Sequence, residues 1–262
     1  MTDRAPVAGA RPLEGLGIVL TRPAAQAEPV AAALRLAGAH VLLFPTLDIV
    51  GVPLSDESAA ALGTLPEASL AIFVSANAAE HGLAAAAARG AWPATARAAT
   101  VGQATAQRLR AAGLSDVIAP TERFDSESLL ALIPDALIAG RRVLIFRGVG
   151  GREHLRTSLE ARGARVAYVE CYRRVRPASD ARPLREAISA GRLHAAQAMS
   201  AEALANLVEM AGADLPWKRL ALLVPHPAIA ASPHAAAFGR TCVAEASGAA
   251  LIESLVRLRQ AA

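Results

Sequence analysis

Aromatic side chains are scarce in this sequence: they make up 3% of the 262 residues, and only Tyr168 and Tyr172 are tyrosines. Surfaces that stack single-stranded nucleic acid need repeated aromatic faces, so this composition excludes that class of protein. A helix-turn-helix with a basic recognition face is missing as well. We therefore expect no nucleic-acid partner, and each tyrosine becomes a separate candidate for a functional role.

Cysteine frameworks and metal-ligand patterns are also missing. The two cysteines, Cys171 and Cys242, cannot form a disulfide framework and do not have the spacing of a metal site. The six histidines show no HxH or HExxH pairing. The sequence therefore predicts no metal, and its cysteine content indicates a reducing compartment.

Long apolar runs that could enter a membrane are missing too. The first 20 residues contain no apolar core of signal-peptide length. The stretch 220–239 carries few charges, but Pro225, Pro227 and Pro233 interrupt it. We expect a soluble, cytoplasmic protein with no membrane contact.

Lysine occurs once, at Lys218, so nearly all of the 27 basic side chains are arginines, and against 23 acidic ones they give a net charge of +4. Arginine grips carboxylate and phosphate groups with a planar fork of donors, which suits an acidic ligand. An arginine- and alanine-rich, lysine-poor composition is also what a GC-rich genome encodes. That explanation accounts for most of the arginines, so their number alone does not identify a ligand.

Apolar residues, in contrast, are plentiful: 53% of the chain is hydrophobic, enough for one large domain or two of ordinary size. An internal repeat favours two. The second half matches the first at an offset of 125 residues. Three aligned pairs carry this offset: Arg22 with Arg147, Gly38 with Gly163, and Ser75 with Ser200.

In each half, short apolar runs alternate with alanine- and leucine-rich stretches of helix length, the βαβ rhythm of a parallel sheet covered by helices. Ten strands are predicted, five per half, near 17–21, 40–44, 70–74, 98–101, 117–119, 142–146, 165–168, 195–198, 220–224 and 242–244. Helices are predicted near 24–37, 76–88, 103–112, 126–133, 152–162, 201–211 and 249–259. Three of them are expected to end at glycines, namely Gly38, Gly113 and Gly163.

Two stretches, 44–52 and 169–177, extend a strand with β-prone residues bounded by proline, so we expect them to cross between two lobes. Tyr168 and Tyr172 lie at the second crossing, and a spacing of four in an extended chain predicts that they share one face. Packing in a core is the alternative for either ring. The repeat leaves open whether each half folds on itself or exchanges its first βαβ unit with the other.

Turns that follow strands are the candidate binding positions, because ligands of open α/β sheets bind beyond the carboxyl ends of the strands. Ser75 and Ser200 each follow a strand and open a helix, so both are predicted N-caps with outward-facing amides nearby. Gly102 opens a helix in the same way, with Thr105 in its first turn. Capping or burial alone explains each residue, but the duplication favours binding.

The turn 147–152, R-G-V-G-G-R, follows a strand directly and resembles a dinucleotide-binding turn, with Glu170 near the end of the next strand where a ribose would lie. A nucleotide-dependent α/β enzyme is therefore an alternative. Against it, the third glycine of the motif falls at Glu153. The matching turn 21–23 has no glycine, so the shared feature is an arginine, which suits an anionic ligand between lobes.

The order of six segments resembles the uroporphyrinogen-III synthase family. They are T-R-P at 21–23, F-V-S-A-N-A at 73–78, V-G-x-x-T-A at 101–106, P…S-E-S-L at 120–129, R-G-x-G-G-R at 147–152 and C-Y-R at 171–173. Order and spacing, together with the repeat, make the resemblance specific, and it spans nearly the whole chain.

The resemblance implies two flavodoxin-like α/β domains, each with a parallel five-stranded sheet, joined by a two-stranded linker. One domain would comprise 1–44 plus 175–262 and the other 48–170, with 44–52 and 169–177 as the linker strands. It also implies an enzyme that cyclises the linear tetrapyrrole hydroxymethylbilane with loss of water and inversion of the last pyrrole ring. Such enzymes use no cofactor and act as monomers, and a transient contact with the preceding pathway enzyme is part of this expectation.

By this resemblance, Tyr172 and Thr105 are the expected catalytic residues, Tyr172 by hydrogen-bonding or protonating the departing hydroxyl. The expected substrate-binding residues are Thr21, Arg22, Ser75, Ala76, Asn77, Gly102, Arg147, Gly148, Ser200, Ala201 and Pro225.

One segment departs from the family pattern. The second-half counterpart of V-G-x-x-T-A reads V-P-H-P-A at 224–228, so the family threonine is absent there. An inactive homologue that serves as a two-lobed anion-binding sensory module is therefore a second alternative.

Overall fold

The structure is a computed structural model that describes residues 11–260, apart from the side chain of Ala25. The first predicted domain also includes 1–10 and 261–262, which lie outside the described residues. Residues 11–260 contain eleven strands, ten α-helices and four short 3-10 helices. The strands are β1 (Gly17–Leu20), β2 (His40–Leu43), β3 (Asp48–Gly51), β4 (Ala68–Phe73), β5 (Arg97–Thr100), β6 (Val117–Ile118), β7 (Arg142–Gly148), β8 (Arg165–Val175), β9 (Ala195–Gln197), β10 (Ala221–Val224) and β11 (Arg240–Val243). The helices are α1 (Ala24–Leu36), α2 (Asp56–Gly63), α3 (Ala76–Ala87), α4 (Gln103–Ala111), α5 (Ser126–Leu132), α6 (His154–Ala161), α7 (Arg182–Ser189), α8 (Ala201–Ala211), α9 (Pro227–Ala230) and α10 (Gly248–Gln260).

The chain divides into two compact units. One takes the chain up to Asp48 and again from Val175 onward, and the other is the continuous segment Ile49–Arg174. The first unit is therefore discontinuous in sequence.

The sheet of the first unit has the strand order β11-β10-β9-β1-β2, and every pair in it is parallel. The interior strand β1, next to the central strand β9, is buried along its whole length. Val19 points into a core formed with α7 and α8, whereas Ile18 and Leu20 point into a core formed with α1 and α10. This alternation is the period of two that a strand covered on both faces requires.

The sheet of the second unit has the order β3-β8-β7-β4-β5-β6. The pairs from β8 to β6 are parallel. On β4, Ala71 and Phe73 pack with α2, α3 and α4, and Leu70 and Ile72 pack with α5 and α6. Both units are thus α/β layers with helices on the two faces of a sheet.

The prediction of five strands in each sheet is wrong for the second unit, which has six. The added strand is β3, which lies within 44–52, a stretch expected to be a linker strand and not part of a sheet. It pairs with β8, which runs from the strand predicted near 165–168 through the predicted extension to Val175. Beyond β3, the Val52 N–H donates to the Cys171 carbonyl at 3.3 Å.

The predicted glycine helix ends are confirmed at all three positions. Gly38, Gly113 and Gly163 follow α1, α4 and α6 with φ of +96°, +95° and +85°, a left-handed conformation that favours glycine. These turns release the chain from each helix toward the next strand.

Candidate active site

Three predicted strand-end turns meet at one edge of the second sheet. The register pairs Phe73 of β4 with Thr100 of β5 and with Phe146 of β7. Because parallel strands end at the same edge, the residues that follow these three lie side by side. Two positions beyond the paired residues stand the turn residues Ser75, Gly102 and Gly148.

Tyr172 joins this edge from β8, where the register places it opposite Gly148. Its hydroxyl lies 3.1 Å from Ser75 Oγ, and the residue is 4% exposed. A Cβ built on Gly148 would lie 2.8 Å from two carbons of the phenol ring, so only glycine leaves room for the ring there. The fold thus brings together Tyr172 and Ser75, which are 97 residues apart in sequence.

The prediction that Tyr168 and Tyr172 share a face is wrong. Tyr168 packs with the core on the α5 and α6 side, whereas Tyr172 packs with the core on the α3 and α4 side. The register shifts between Arg147 and Gly148, the signature of a β-bulge, so that Glu170 is followed by Tyr172 in the pairing. The extra residue places Tyr172 in the same core cluster as its neighbour Cys171.

Ser75 has a second partner besides the tyrosine. It is the N-cap of α3, as predicted, and its Oγ accepts a hydrogen bond from the Ala78 N–H at 3.1 Å. Ala76 and Asn77 form the first turn of α3, where amide groups have no partner within the helix. Together with the helix dipole, these amides favour a negative charge at this helix end.

Gly102 and Thr105 lie together at the start of α4. Gly102 is the N-cap residue and supplies no capping side chain. A Cβ built on it would be 3.9 Å from Thr105 Oγ1, so a side chain at 102 would meet the threonine hydroxyl at ordinary contact distance. Thr105 is 5% exposed. The α4 end therefore combines open backbone amides with a hydroxyl, next to the Ser75 turn.

Arg147 forms hydrogen bonds and a cation–π contact with side chains of the second unit. Its Nη1 donates to Glu153 at 2.9 Å, its Nε donates to Glu170 at 3.1 Å, and its guanidinium lies 3.7 Å from the centre of the Tyr168 ring. The residue is 6% exposed. The expectation that Arg147 holds a substrate carboxylate is not supported by this placement, because two protein carboxylates already occupy the fork.

The contacts among Arg147, Glu153 and Tyr168 shift the pKa of all three side chains. Burial alone would lower the pKa of Arg147, but the hydrogen bond to Glu153 and the neighbouring charges raise it above its ordinary value. The Arg147 hydrogen bond lowers the pKa of Glu153. Burial, followed by the hydrogen bond to Glu153, raises the pKa of Tyr168 to about 12. Tyr168 is therefore protonated at neutral pH and donates to Glu153 at 2.9 Å.

The turn 147–152, which a nucleotide would need for its phosphates, is bonded to carboxylates of the protein instead. The Gly150 N–H, which would cradle a phosphate, donates instead to Glu170 at 3.3 Å. Glu153, the N-cap residue of α6, makes no capping hydrogen bond with its side chain and faces Arg147. A pyrophosphate at this turn would meet two carboxylates, which opposes the binding of an anion.

In the first unit, Thr21 and Arg22 follow β1 and contact the neighbouring strand β9. Thr21 is 1% exposed and donates through Oγ1 to the Gln197 carbonyl at 2.8 Å. Arg22 Nε donates to Gln197 Oε1 at 2.9 Å, and its Nη2 donates to the Ala246 carbonyl. Burial lowers the pKa of the half-buried Arg22. Thr21 thus supports the turn from inside, and Arg22 is fixed beside it.

Ser200 and Pro225 follow β9 and β10 at the same edge of this sheet. Ser200 caps α8 as predicted, accepting from the Ala203 N–H at 3.0 Å, and Ala201 is the first residue of that helix. After Pro225, His226 caps the short helix α9 through Nδ1, which accepts from the Ala228 N–H at 3.1 Å. A histidine therefore performs the capping here, in the segment that lacks the family threonine.

Sequence reasoning missed two residues that contact the predicted ones. Gln197 binds both Thr21 and Arg22, and the His81 ring stacks on the Tyr172 ring. The sequence carried a signal for His81, since it lies on the helix that Ser75 was predicted to cap.

Within residues 11–260, no helix has both the length and the apolar character to cross a membrane. The same residues contain no group of three or more His, Cys, Asp or Glu side chains that could hold a metal ion.

These features define a class of protein: two α/β units, each with capped helix N-termini at the carboxyl edge of its sheet, and a buried tyrosine hydroxyl at one of them. Residues 28–256 match the family described as Uroporphyrinogen-III synthase HemD. Because the match covers most of the chain, the chain belongs to the uroporphyrinogen-III synthase family.

Individual relatives agree with this membership. The chain is 37% identical to the uroporphyrinogen-III synthase of Salmonella typhimurium over 160 residues, which are 61% of this chain and 65% of the relative. It is 41% identical to that of Synechococcus elongatus over 169 residues, 62% of each chain. The alignments thus span less than two thirds of these relatives.

Among solved structures, a mutant uroporphyrinogen III synthase from Thermus thermophilus superposes with a TM-score of 0.63 at 20% identity, over 94% of this chain and 100% of the other. The uroporphyrinogen-III synthetase of Helicobacter pylori superposes with a TM-score of 0.58 at 14% identity, over 93% and 100%. At such identities, these structures share the fold with this chain.

Proposed function

We propose that this protein is a uroporphyrinogen-III synthase that cyclises hydroxymethylbilane. Family membership supports the reaction, and the tyrosine hydroxyl held by Ser75 at the sheet edge supports the site. The substrate would lose its terminal hydroxyl as water, leaving an electrophilic azafulvene. The substituted carbon of the last pyrrole then attacks it through a spiro intermediate, so that this ring closes inverted.

Tyr172 is proposed as the proton donor to the departing hydroxyl. Ser75 Oγ accepts the Ala78 N–H, which leaves its own hydrogen free to point at the Tyr172 oxygen 3.1 Å away. In that arrangement the phenol proton is left for the substrate, and the Ser75 hydroxyl stabilises the phenolate that forms. Ring closure releases one proton, which restores the phenol. This hydroxyl pair is the observation that carries the proposal.

The eight substrate carboxylates are proposed to bind at helix ends rather than at one charged anchor. The amides at the starts of α3, α4 and α8 follow Ser75, Gly102 and Ser200, and each helix end favours an anion. Arg22 is retained as a candidate, and Thr105 adds a hydroxyl at α4. Distributed binding of this kind suits an enzyme whose main task is to hold one folded conformer of a reactive chain.

The remaining features are proposed with the reaction. Two flavodoxin-like domains, 1–44 plus 175–262 and 48–170, would be joined by linker strands in 44–52 and 169–177, which the division of the chain at Asp48 and Val175 supports. The enzyme would act as a cytoplasmic monomer without a cofactor, since the phenol supplies the acid. Transient hand-off of substrate from the preceding enzyme is part of the same proposal.

A product assay tests the function. Hydroxymethylbilane, generated in situ, should yield the type III isomer in excess over the type I isomer that forms spontaneously. Tyr172→Phe should lower kcat by about 10² to 10⁴, the usual contribution of a positioned general acid. Tyr168→Phe, which removes the only other tyrosine of the chain, is the control and should retain turnover.

Two results would contradict the proposal. A wild-type product ratio equal to the spontaneous one would indicate a sensory module of the same fold instead of an enzyme. Turnover of Tyr172→Phe at the wild-type rate would show that the phenol only packs in the core.

A further inference from the structure

His81 touches the ring of the proposed proton donor. The centres of the His81 and Tyr172 rings are 5.9 Å apart, and the ring planes are inclined by 27°. His81 lies on α3, the helix whose N-cap Ser75 meets the Tyr172 hydroxyl. Helix α3 and its N-cap therefore contact both the ring and the hydroxyl of Tyr172.

The imidazole is confined by the backbone of β3. A Cβ built on Gly51, the last residue of β3, would lie 3.1 Å from His81 Nδ1. The next amide, of Val52, donates to the carbonyl of Cys171, which precedes Tyr172. His81 thus contacts both the end of β3 and the ring on β8, and a residue larger than glycine at 51 would displace it.

The phenol has contacts at several points besides His81. Gly148 lies so near that a Cβ there would be 2.8 Å from the ring, and Ser75 binds the hydroxyl. Removing the imidazole would leave space beside the ring, into which the ring can turn and break its bond with Ser75. The loss of one ring contact would then change the direction of the O–H group.

We propose that His81 is a positioning residue for Tyr172, holding the phenol in the orientation in which its hydroxyl meets Ser75. The contact of His81 is with the ring, and the hydrogen-bond partner of the hydroxyl is Ser75, so the role of His81 is exerted through Tyr172. The catalytic consequence of this role rests on the proposed synthase function, whereas the positioning itself does not.

Fluorine NMR tests the positioning directly, because the chain has only two tyrosines. Protein labelled with 3-fluorotyrosine should give two resonances, and Tyr168→Phe assigns the one from Tyr172. In His81→Ala this resonance should shift and broaden, whereas His81→Phe, which keeps a stacked ring, should restore a single narrow line. His154→Ala, on α6 in the same unit, is the matched control and should leave the resonance unchanged.

A second variant reaches His81 without touching Tyr172. Gly51→Ala should push the imidazole by a few tenths of an ångström and shift the same resonance in a chain that keeps His81. The Gly51→Ala variant tests the same contact if His81→Ala fails to fold. An unchanged Tyr172 resonance in folded His81→Ala or, failing that, in Gly51→Ala overturns the proposal.

Kinetics test the catalytic consequence. His81→Ala should lower kcat by about two- to tenfold, the range that an aromatic pair contributes, with little change in KM, and His81→Phe should recover most of the loss. A shifted resonance with an unchanged kcat overturns the role in turnover. If the wild-type protein makes no type III product, the synthase proposal fails, and the NMR result alone decides whether His81 positions the ring.

Discussion

At the scale of single residues, a β-bulge decides where Tyr172 lies, because one extra residue in β8 brings its ring into the core that also contains Cys171. Two tyrosines in 262 residues made each worth testing, and the C-Y-R segment singled out one of them. Their assignment to a common face failed because a β-bulge beyond Arg147 adds a residue to β8. A bulge depends on how β7 and β8 pair, and no pattern within residues 165–175 reveals that pairing.

For Arg147, the predicted position at a strand end is right, but the structure shows partners other than the expected anion. The repeat correctly aligned it with Arg22 at the end of a strand, and from this alignment both were expected to bind an anion. In the structure its partners are Glu153 and Glu170, one six and one 23 positions along the chain. In the sequence, Glu153 was an objection to a nucleotide site, whereas Glu170 was an argument for one. Their position around one guanidinium required the turn after β7 to be known.

Cys171, the neighbour of Tyr172, provides a prediction at this scale. It is 3% exposed, and burial raises the pKa of its thiol to about 11, so little reactive thiolate forms at pH 8. We expect a disulfide reagent to modify Cys171 at least about tenfold more slowly than Cys242 in the folded protein. Because the shift is upward, the rate at Cys171 should continue to rise as the pH approaches about 11.

Thiol titration in the Cys242→Ser variant checks this expectation, since only Cys171 then remains. Denaturant should remove the difference between the two thiols. Equal rates for Cys171 and Cys242 in the native protein would contradict the buried placement of Cys171.

At the scale of elements, most strands were predictable because buried parallel strands are short apolar runs, and such runs stand out in an alanine-rich chain. Helices α2, α7 and α9 were not predicted, although α2 and α7 carried local signals. Ser55 caps α2 ahead of two acidic residues, and the buried residues of α7 recur at 184, 187 and 188. Edge strand β3 lies in a stretch that was recognised as β-prone, but its place in the sheet was not predictable, because its partner β8 lies more than a hundred residues away.

Helix capping leads to a prediction that separates stability from activity. Ser55 and Ser75 cap α2 and α3 in the same way, through hydrogen bonds of 3.2 Å and 3.1 Å. Ser55→Ala and Ser75→Ala should therefore each lower the free energy of unfolding by about 1 kcal/mol. Only Ser75→Ala should also lower kcat, because it removes the partner of the Tyr172 hydroxyl, and Ser75→Thr should preserve both properties.

Urea unfolding followed by circular dichroism, together with the product assay, measures the two effects on the same samples. If Ser75→Ala and Ser55→Ala had the same kcat, Ser75 would be a helix cap and nothing more.

At the scale of the whole molecule, the repeat predicted two α/β bodies but could not say which segments each contained. The pairing answers this for the first unit: β1 lies between β2 and β9, and β9 comes after the whole second unit in the chain. The central strand of one sheet and its neighbour are thus contributed by opposite ends of the sequence. A repeat alone does not encode this exchange, because both arrangements leave the same apolar pattern.

This connectivity predicts that the two units differ as isolated fragments. Residues 49–174 contain the six strands of their sheet except for the end residues Asp48 and Val175, and should fold alone with a cooperative thermal transition. Residues 175–262 lack β1 and β2, so the apolar side chains that pack on Ile18 and Leu20, among them Leu223, Leu251 and Leu255, would be exposed. We expect this fragment to show no cooperative transition by circular dichroism until a peptide covering 11–48 is added. Cooperative folding of 175–262 by itself would mean that β1 is dispensable to its sheet, against the full burial of that strand.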